Sequence, residues 1–391
     1  MSLFRTWKPY IKHYSRLTRR VVRYGGGTLL ISSAGAALYY RPLPSDPKLL
    51  EGEWEITSKL KAKARLTEAS DEPEAPLLSV ARCFIFGTIA TMSKVLLEYL
   101  NETSVHDDQH HKYLVSRVLY RHRGQPLLTV SNHASTLDDP TLFSALMPLK
   151  YAIRPKFMRW TVCSEEICFE NAAVSSFFGA GKVLPIARGA GIQQLLLMDY
   201  TRRLVSGEWC HLFPEGRTVQ TGKVGARGGT RGKAIGSLKW GVGKVVAHSP
   251  PDLEIIPFFH SGMQNVVPEH PVSKECTGWL PALGKSVHVR VGPAVLVRDL
   301  IEAHEKTHGK LFVVSPCARG KGKKDPNLWS TPPTKSEQEL YSAITRRIQE
   351  ALERLEALER EEQGEAYPTA PDDVLQGKYE GADPENLILP Q

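Results

Sequence analysis

A histidine and an acid stand close together in one polar turn of this chain. Residues 126–150 read as a buried strand, a turn with the sequence N-H-A-S-T-L-D-D-P, and a short apolar helix. His133 and Asp138 are five positions apart, too far around a straight helix to share a face, but a strand-to-helix turn can fold back and let them meet. A carboxylate that fixes the tautomer of an imidazole and stabilises its protonated form makes the histidine a general base. The alternative is that His133 is an ordinary loop residue.

The second acid of the turn has a different expected role. Asp139 precedes Pro140, and a carboxylate ahead of a proline at the first helical position is a good helix start. Helix capping therefore explains Asp139, but it explains neither His133 nor Asp138. Asn132 and Ser135 are further polar side chains of the turn, and we expect them to support the site.

Three more motifs place polar residues at the ends of predicted strands. They are G-K-V-L-P-I-A-R-G at 181–189, F-P-E-G-R-T at 213–218 and I-I-P-F-F-H-S-G-M at 255–263. In an open α/β sheet, ligands bind outside the carboxyl ends of the strands, so the loops after several strands can converge on one site. The side chains concerned are Arg188, Glu215, Arg217, Pro257 and His260, together with Gly216. We expect Pro257 to be structural and His260 to be a packed histidine rather than a second base.

The remaining pattern predicts the elements that position these motifs. Apolar strands alternate with helix-length segments between about residues 113 and 300; the strands are at 127–130, 183–186, 210–213, 254–259 and 287–291. This alternation predicts an α/β fold, a mixed sheet flanked by helices. A long C-terminal helix follows over 336–363, with Ser336 and Glu339 in capping-box register. Its apolar stripe is Leu340, Ile344, Ile348, Leu352, Leu355 and Leu358. The stripe covers barely three heptads, so we expect a strut packed on the domain rather than a coiled coil.

Composition narrows the class of partner. The 391 residues carry a formal net charge of +8 and a sequence pI near 9.1, which suggests an acidic partner. Basic and aromatic residues are not interleaved as in a nucleic-acid module, so an anionic lipid or a phosphorylated substrate is favoured over nucleic acid. The six cysteines show no zinc spacing and no C-x-x-C pair. We expect them to be buried free thiols, and we expect no cysteine nucleophile.

The N-terminal segment has the pattern of a targeting or membrane-associating element. Residues 1–45 contain no acid, and basic residues recur there at near-helical spacing between aromatic and apolar ones. This is typical of a mitochondrial targeting segment or of an amphipathic helix on an anionic membrane, with a solvated basic arm as the alternative. The uncharged run at 25–40 is shorter than the roughly 20 residues that a spanning helix needs, so a tilted span and a surface anchor both stay open.

The chain divides into five parts by composition. After the segment 1–45 we expect a linker at 46–76, a main domain at 77–330, the C-terminal helix at 331–364 and a disordered tail at 365–391. The strongly apolar stretch at 77–100 reads either as a core helix or as an interfacial one. The H-D-D-Q-H-H cluster at 106–111 superficially resembles a metal site, but we expect a solvated loop there.

Taken together, the motifs resemble those of the glycerophospholipid acyltransferases. The signature of that family is a His, four residues and an Asp, followed by a P-x-x-R block and an F-P-E-G block. The resemblance covers roughly residues 80–300. Longer stretches, R-W-T-V-C-S-E-E-I-C-F-E-N at 159–171 and L-K-W-G-V-G-K-V-V-A at 238–247, are similar to the mitochondrial phospholipid–lysophospholipid transacylases of the family, which remodel cardiolipin.

The resemblance implies roles for the motif residues. His133 would be the catalytic base and Asp138 its orienting partner, and the free hydroxyl of a lysophospholipid would itself be the nucleophile. Arg188 would bind the acceptor phosphate, as a guanidinium can do with two hydrogen bonds, unless it only pairs with a surface acid. Glu215 and Gly216 match the acceptor-binding block, although P-E-G is also a common turn composition. Arg217 would add to the phosphate pocket. The resemblance implies no cofactor, no coenzyme A and no metal.

The resemblance also implies partners and a location. Its substrates would be cardiolipin, monolysocardiolipin, phosphatidylcholine and other phospholipids at an anionic membrane surface, without nucleic acid. The protein would be monotopic, on mitochondrial membranes (inner or outer) facing the intermembrane space, as a homo-oligomer or within larger mitochondrial complexes. One rival is an acyl-CoA-dependent acyltransferase of the same fold that makes phosphatidic acid from lysophosphatidate. A rival of another class is a non-catalytic lipid-binding or membrane-shaping protein.

Overall fold

The structure, a computed structural model, describes residues 76–121, 125–220, 238–269, 276–278, 280–316 and 325–364. The predictions for the basic segment 1–45 with its uncharged run, for nearly all of the linker and for the tail 365–391 lie outside these residues.

A sheet of parallel and antiparallel strands forms the centre of the fold. The strands are β1 (Glu102–Val105), β2 (Leu127–Ser131), β3 (Thr161–Ser164), β4 (Val183–Ile186), β5 (Trp209–Leu212), β6 (Glu254–Ser261) and β7 (Ser286–Val291). Five of them pair in the order β1-β7-β6-β2-β5, in which only β6 and β7 are antiparallel. The other two, β3 and β4, pair in parallel, and a bridge between Trp160 and Cys210 joins them to β5.

Helices of varied length cover the sheet. They are α1 (Pro76–Lys94), α2 (Gln109–Tyr120), α3 (Asp138–Leu146), α4 (Leu149–Ala152), α5 (Glu165–Cys168), α6 (Ala172–Ala180), α7 (Leu195–Val205), α8 (Gly241–Ala247), α9 (Met263–Val266), α10 (Arg298–His308), α11 (Asp325–Ser330) and α12 (Lys335–Gln363). The prediction of a mixed sheet flanked by helices is confirmed.

The central strand β2 explains where the polar turn lies. All five residues of β2 are buried, because parallel neighbours lie on both sides and helices cover both faces. Its register with β6 places Ser131 beside Phe258, and its register with β5 places Val130 beside Leu212. The turns that follow β2 and β5, together with the last residues of β6, therefore meet at one edge of the sheet.

The five predicted strands are present, and two more were missed. The strand predicted at 210–213 begins one residue earlier, at Trp209. The missed strands are β1, with sequence E-T-S-V, and β3, with sequence T-V-C-S. Both are four residues long and partly exposed, so neither carries the continuous apolar run that marks a buried strand.

The long helix α12 packs on the domain, as predicted, but its start differs. Thr334 accepts from the backbone N–H of Glu337, and Glu337 accepts from the backbone N–H of Thr334; this capping box replaces the one predicted at Ser336 and Glu339. The predicted stripe is buried apart from Leu358, which is 50% exposed near the helix end. The helix lies so close to α8 that a Cβ on Gly243 would meet the backbone carbonyl oxygen of Tyr341.

The apolar stretch at 77–100 forms α1 and a following π-helical turn (Val95–Tyr99). Ile85, Phe86 and Ala90 are buried, and the helix packs against α3, whereas Val80 and Phe84 are more than half exposed. Among the described residues, one helix of 22 residues, Leu78–Tyr99, is long and apolar enough by composition to cross a membrane. One third of its apolar window is buried within the protein.

The cysteine prediction is mostly wrong. Cys163 and Cys168 form a disulfide bond across the β3–α5 junction, because the short helix brings two residues of separation five together. Cys210 is the buried free thiol that was expected, while Cys83 and Cys276 are free but exposed. Cys317 lies outside the described residues.

The cluster at 106–111 is part of the folded structure, not a solvated loop. It joins the end of β1 to the start of α2, where the carboxylate of Asp108 caps the helix by accepting from the backbone N–H groups of His110 and His111. The ring of His111 is also tied down, with its Nε2 at 2.9 Å from the carbonyl oxygen of Leu146. The capping carboxylate of Asp108 holds this segment in a fixed conformation, which the hydrophobic periodicity of the sequence does not reveal.

Candidate active site

The polar turn after β2 brings His133 and Asp138 together, as the spacing predicted. The Nδ1 atom of His133 lies 3.0 Å from Oδ2 of Asp138. The same oxygen accepts from the backbone N–H of Ala134 at 2.7 Å and of Ser135 at 2.9 Å. Asp138 is fully buried, and the His133 side chain is 20% exposed. With Nδ1 facing the carboxylate, Nε2 is the ring nitrogen available to a substrate proton.

Aromatic rings hold the His133 imidazole in place. The ring of Phe213, directly after β5, stacks on His133 with centroids 4.2 Å apart. Behind it, His211 on β5 is fully buried, with Nδ1 at 3.0 Å from Oγ1 of Thr129. Burial lowers the pKa of His211 well below its ordinary value, with the nearby positive charge of Arg159 acting in the same direction. His211 is therefore a neutral packing partner of the site.

The F-P-E-G-R-T motif reaches the turn through its backbone and the residues after it. The carbonyl oxygen of His133 accepts from the backbone N–H of Val219, and Gln220 donates from Nε2 to the carbonyl oxygen of Ala134 at 2.8 Å. Gln220 also bridges to the carbonyl oxygen of Val267 at 2.9 Å. The first and third motifs thus share one hydrogen-bonded loop cluster at the sheet edge.

The fourth motif supplies a second histidine beside Asp138. His260, at the end of β6, is 1% exposed, and its Nε2 lies 3.4 Å from Oδ2 of Asp138. The same atom lies 3.0 Å from the carbonyl oxygen of Asn132. The expectation of a packed histidine agrees with this burial; the contact with Asp138 was not foreseen. The sequence did contain a signal for this contact: His260 stands at the end of a predicted central strand, and the ends of such strands meet at one edge of the sheet.

Asp139 does not cap its helix through its side chain. Its backbone is extended ahead of Pro140, as in an N-cap residue, but no side-chain cap hydrogen bond forms at the start of α3. Its carboxylate pairs instead with Arg159, whose side chain is 2% exposed. Burial disfavours the positive charge of Arg159 and lowers its pKa to about 9. The carboxylate of Asp139 supplies the opposite charge that this buried guanidinium needs. No motif in the sequence indicated that Arg159 lies at this site.

The second motif is not brought into contact with the dyad. Arg188 lies beyond the end of β4, half-exposed, with Nη1 at 3.2 Å from Oε1 of Glu166. This is the surface ion pair that the sequence left open as the alternative. An exposed ion pair of this kind contributes little to stability, typically about 0–1 kcal/mol. The guanidinium of Arg188 can therefore leave Glu166 for another anion at little cost in free energy.

The remaining motif residues lie at the same edge as the turn. Glu215 is 2% exposed, and Gly216 has a left-handed backbone with φ of 70° in the turn closed by its N–H to the carbonyl oxygen of Phe213. Arg217 is half-buried.

Pro257 is buried in β6, and its carbonyl oxygen accepts from the backbone N–H of Gly292. Ser135 is fully buried and its Oγ accepts from the backbone N–H of Leu137, so it holds the turn rather than offering a nucleophile.

One group of possible metal ligands lies outside the turn, on β7, on α12 and just after β1. Ring nitrogens of His106 and His288 and a carboxylate oxygen of Glu359 come within 4.8 Å of one another. Arg290 already supplies a positive charge there, because its Nε donates to Glu359 at 2.9 Å and its Nη2 lies 3.1 Å from Nε2 of His106. The group ties α12 to the β1 and β7 edge of the sheet.

A half-buried histidine backed by a buried carboxylate lies at the carboxyl edge of an α/β sheet, an arrangement that suits a general base. A family model described as Acyltransferase matches residues 109–261, which include β2, the turn and the end of β6. N-acylphosphatidylethanolamine synthase of Arabidopsis thaliana is 30% identical over 279 residues, which is 71% of this chain and 93% of the relative. The chain belongs to the acyltransferase family.

Two further relatives narrow the family. Tafazzin of Drosophila melanogaster is 34% identical over 218 residues, 56% of this chain and 52% of the relative. The protein named Taffazin of Dictyostelium discoideum is 28% identical over 244 residues, 61% of this chain and 77% of the relative. The match thus spans about half the length of the fly protein. With these relatives, the chain is a tafazzin-like acyltransferase and therefore an enzyme.

Proposed function

We propose that this enzyme is a phospholipid–lysophospholipid transacylase that remodels cardiolipin acyl chains in mitochondria without coenzyme A. The observation that carries the proposal is the dyad, in which Asp138 fixes Nδ1 of His133 at 3.0 Å and leaves Nε2 for the substrate. The tafazzin names of the relatives support the choice of phospholipid substrates and of mitochondria.

The dyad can carry the whole proton cycle of acyl exchange. His133 Nε2 takes the proton of the lysophospholipid hydroxyl as its oxygen attacks the acyl carbonyl carbon of the donor lipid. When the tetrahedral intermediate collapses, the donor's ester C–O bond breaks and His133 returns the proton to the leaving oxygen. One ester is exchanged for another, so atoms and charges balance without a further reactant. The buried Asp138 carboxylate stabilises the imidazolium that exists between the two transfers.

We assign acceptor binding to motif residues outside the turn. We place the acceptor phosphate at Arg188 and Arg217 and a glycerol hydroxyl near Glu215, where Gly216 lets the backbone approach closely. Arg188 would exchange its exposed partner Glu166 for the phosphate, and a bidentate contact with phosphate is stronger than an exposed ion pair. Neutral replacement of Arg188 should therefore raise the KM for the lysolipid more than it lowers kcat.

The lipid substrates favour a membrane-associated enzyme. The exposed apolar face of α1, with Val80 and Phe84, and the net charge of +8 suit an anionic bilayer surface. We propose a monotopic arrangement on the membranes that face the intermembrane space, and association of the enzyme with itself or with larger mitochondrial complexes.

Labelled acyl exchange tests the proposal. Purified protein free of coenzyme A is incubated with vesicles of phosphatidylcholine carrying a labelled acyl chain and with monolysocardiolipin, and labelled cardiolipin is measured by mass spectrometry. Transfer of label without added thioester is the expected result. No transfer, with activity on lysophosphatidate restored by acyl-CoA, would instead support the coenzyme-dependent reading.

A second candidate is acyl transfer to the amine of phosphatidylethanolamine. It is favoured by the Arabidopsis relative, whose name states N-acylphosphatidylethanolamine synthesis and 93% of whose length is matched. The same base can take a proton from the ammonium group and so produce the amine that attacks the acyl carbonyl. Vesicles that contain both phosphatidylethanolamine and a lysophospholipid separate the two reactions, because the amide product and the new ester differ in mass and in resistance to alkaline hydrolysis.

A further inference from the structure

Three hydrogen bonds join the end of β6 to the catalytic turn through one pair of residues. The side chain of Asn132 donates from Nδ2 to the carbonyl oxygen of His260 at 2.9 Å and accepts at Oδ1 from the backbone N–H of His260 at 3.0 Å. The ring of His260 returns the contact, with Nε2 at 3.0 Å from the carbonyl oxygen of Asn132. Both residues are 1% exposed. Each of the three hydrogen bonds uses a side chain of Asn132 or His260, so they add to the backbone pairing of the neighbouring strands β2 and β6.

The contacts fix the tautomer of His260. A carbonyl oxygen only accepts, so Nε2 must carry the proton that it donates to Asn132. The Nδ1 atom is buried without a hydrogen-bond partner within the described part of the chain. The protonated Nε2 lies 3.4 Å from Oδ2 of Asp138, on the oxygen that also faces His133. His260 therefore donates its one N–H to Asn132 and places the same nitrogen close to the catalytic carboxylate.

Burial keeps the ring of His260 neutral. Burial lowers the pKa of His260, and the negative charge of Asp138 opposes this without reversing it. His133 in the turn and His211 on β5 face the same cluster, and beyond His211 lies the buried Arg159 with its partner Asp139. A positive charge on His260 would compete with protonated His133 for the carboxylate of Asp138. The neutral form of His260 can donate a hydrogen bond without this competition.

We propose that His260 is a positioning residue that holds Asp138 and the Asn132–His133 peptide in register with the base. Its Nε2–H contacts both groups that determine where the His133 ring points: the carboxylate behind Nδ1 and the peptide from which the ring extends. The inference rests on the proposed acyl transfer, since it assigns His133 as the base. His260 itself exchanges no proton with the substrate.

A pair of variants separates this role from simple packing. His260→Gln keeps an N–H donor near the position of Nε2, and His260→Leu fills similar space without one. We expect His260→Leu to lower kcat about tenfold to hundredfold, as is typical when a group that orients a functional histidine is lost. The KM for the lysolipid should stay near its wild-type value, and His260→Gln should recover most of kcat.

The pH dependence gives a signature that packing would not give. Without the N–H of His260, the negative charge of Asp138 is shared with fewer donors and favours protonated His133 more strongly. The acidic limb of the kcat/KM profile, which reports the free enzyme, should move to higher pH in His260→Leu and stay in place in His260→Gln. His248→Leu is the matched control, because His248 is a buried histidine bonded to Phe312 and Tyr341 in another part of the core. It should lower stability without moving that limb.

Histidine-selective NMR of the unmodified protein tests the same point without substrate. At neutral pH we expect His260, identified by its absence in His260→Gln, to be neutral with the proton on Nε2. The low-field proton on Nδ1 of His133 should shift in His260→Leu and not in His260→Gln. A charged His260, a proton on its Nδ1, or equal losses in both variants with unmoved limbs would overturn the inference. If these NMR results hold while no lipid exchange occurs, the proposed function fails and the positioning role stands.

Discussion

The charge on Asp138, rather than its shape, should carry most of its contribution to turnover. The three closest contacts of its carboxylate, from His133, Ala134 and Ser135, all converge on one oxygen, Oδ2. In Asp138→Asn the amide oxygen can occupy that place and accept the same three bonds, with the NH2 group in the position of Oδ1. The turn then keeps these three hydrogen bonds and loses the negative charge, while the NH2 group occupies a buried place where Oδ1 has no hydrogen-bond partner among the described residues.

The magnitude follows from the distance and the burial. The charge of an imidazolium whose Nδ1 is 3.0 Å from Oδ2 is centred about 4 Å away, and at an effective dielectric constant near 20 this attraction amounts to about 4 kcal/mol. Asp138 is fully buried, so solvent does not screen it further. A loss of about 4 kcal/mol in the transition state corresponds to a fall in kcat of about 10³-fold.

Acyl exchange between labelled phosphatidylcholine and monolysocardiolipin, without coenzyme A, is the assay. Thermal unfolding of Asp138→Asn should stay near that of the wild type, because the backbone bonds persist. The matched control is Asp325→Asn. Asp325 is also a buried carboxylate that accepts from a backbone N–H, that of Ser315, and it lies near Arg202. Its replacement should leave the exchange rate unchanged.

A double-mutant cycle decides whether the charge acts through the base. His133→Ala alone should lower the rate by about 10²–10⁴-fold, the usual contribution of a positioned general base. In that background Asp138→Asn should cost little more, because there is no imidazolium left to stabilise. Wild-type exchange by a folded Asp138→Asn protein, or a full further loss in the His133→Ala background, would refute the reasoning.

Three other predictions concern stability and are measured by urea unfolding. Burial lowers the pKa of His248 to about 4, so between about pH 4 and pH 6.5 the unfolded chain binds a proton that the folded chain does not. Stability is therefore lost as the pH falls, by about 2 kcal/mol from His248 at about pH 5, and His248→Gln should remove that share. Arg159→Ala should cost about 3–5 kcal/mol by leaving the carboxylate of Asp139 without its buried partner, and adding Asp139→Asn should recover part of the loss. Gly243→Ala should cost about 1–3 kcal/mol, because the new Cβ meets the backbone of Tyr341 and forces α12 away from α8.

Each of these has an outcome that contradicts it. An unchanged pH dependence in His248→Gln would mean that His248 accepts a proton in the folded state. Losses from Arg159→Ala and Asp139→Asn that simply add would mean that the two side chains are not coupled. Wild-type stability of Gly243→Ala would mean that α8 and α12 are farther apart than described.

The strands and the dyad could be predicted because their signals are local. A buried parallel strand needs a largely apolar run, and such runs match β2, β4, β5 and β6. The alternating run V-H-V-R-V, with its valines buried, matches β7. The meeting of His133 and Asp138 follows from a short turn, whose few residues leave little freedom. Short, partly exposed strands carry no such signal, which is why β1 and β3 were not foreseen.

The class of chemistry can be inferred from local features: a histidine and an acid in one turn, strand ends that bear polar residues, and an α/β fold that positions them. Which other side chains surround the dyad depends on how distant parts of the chain pack together. His260 reaches the turn from β6, Phe213 from the residue after β5, and Arg159 from the segment before β3. Asp139 pairs with Arg159 instead of capping its helix, because Arg159 lies beside it. Sequence spacing cannot fix such contacts, because they depend on the order and register in which β5, β2 and β6 pair, and that order is set by the packing of the whole sheet.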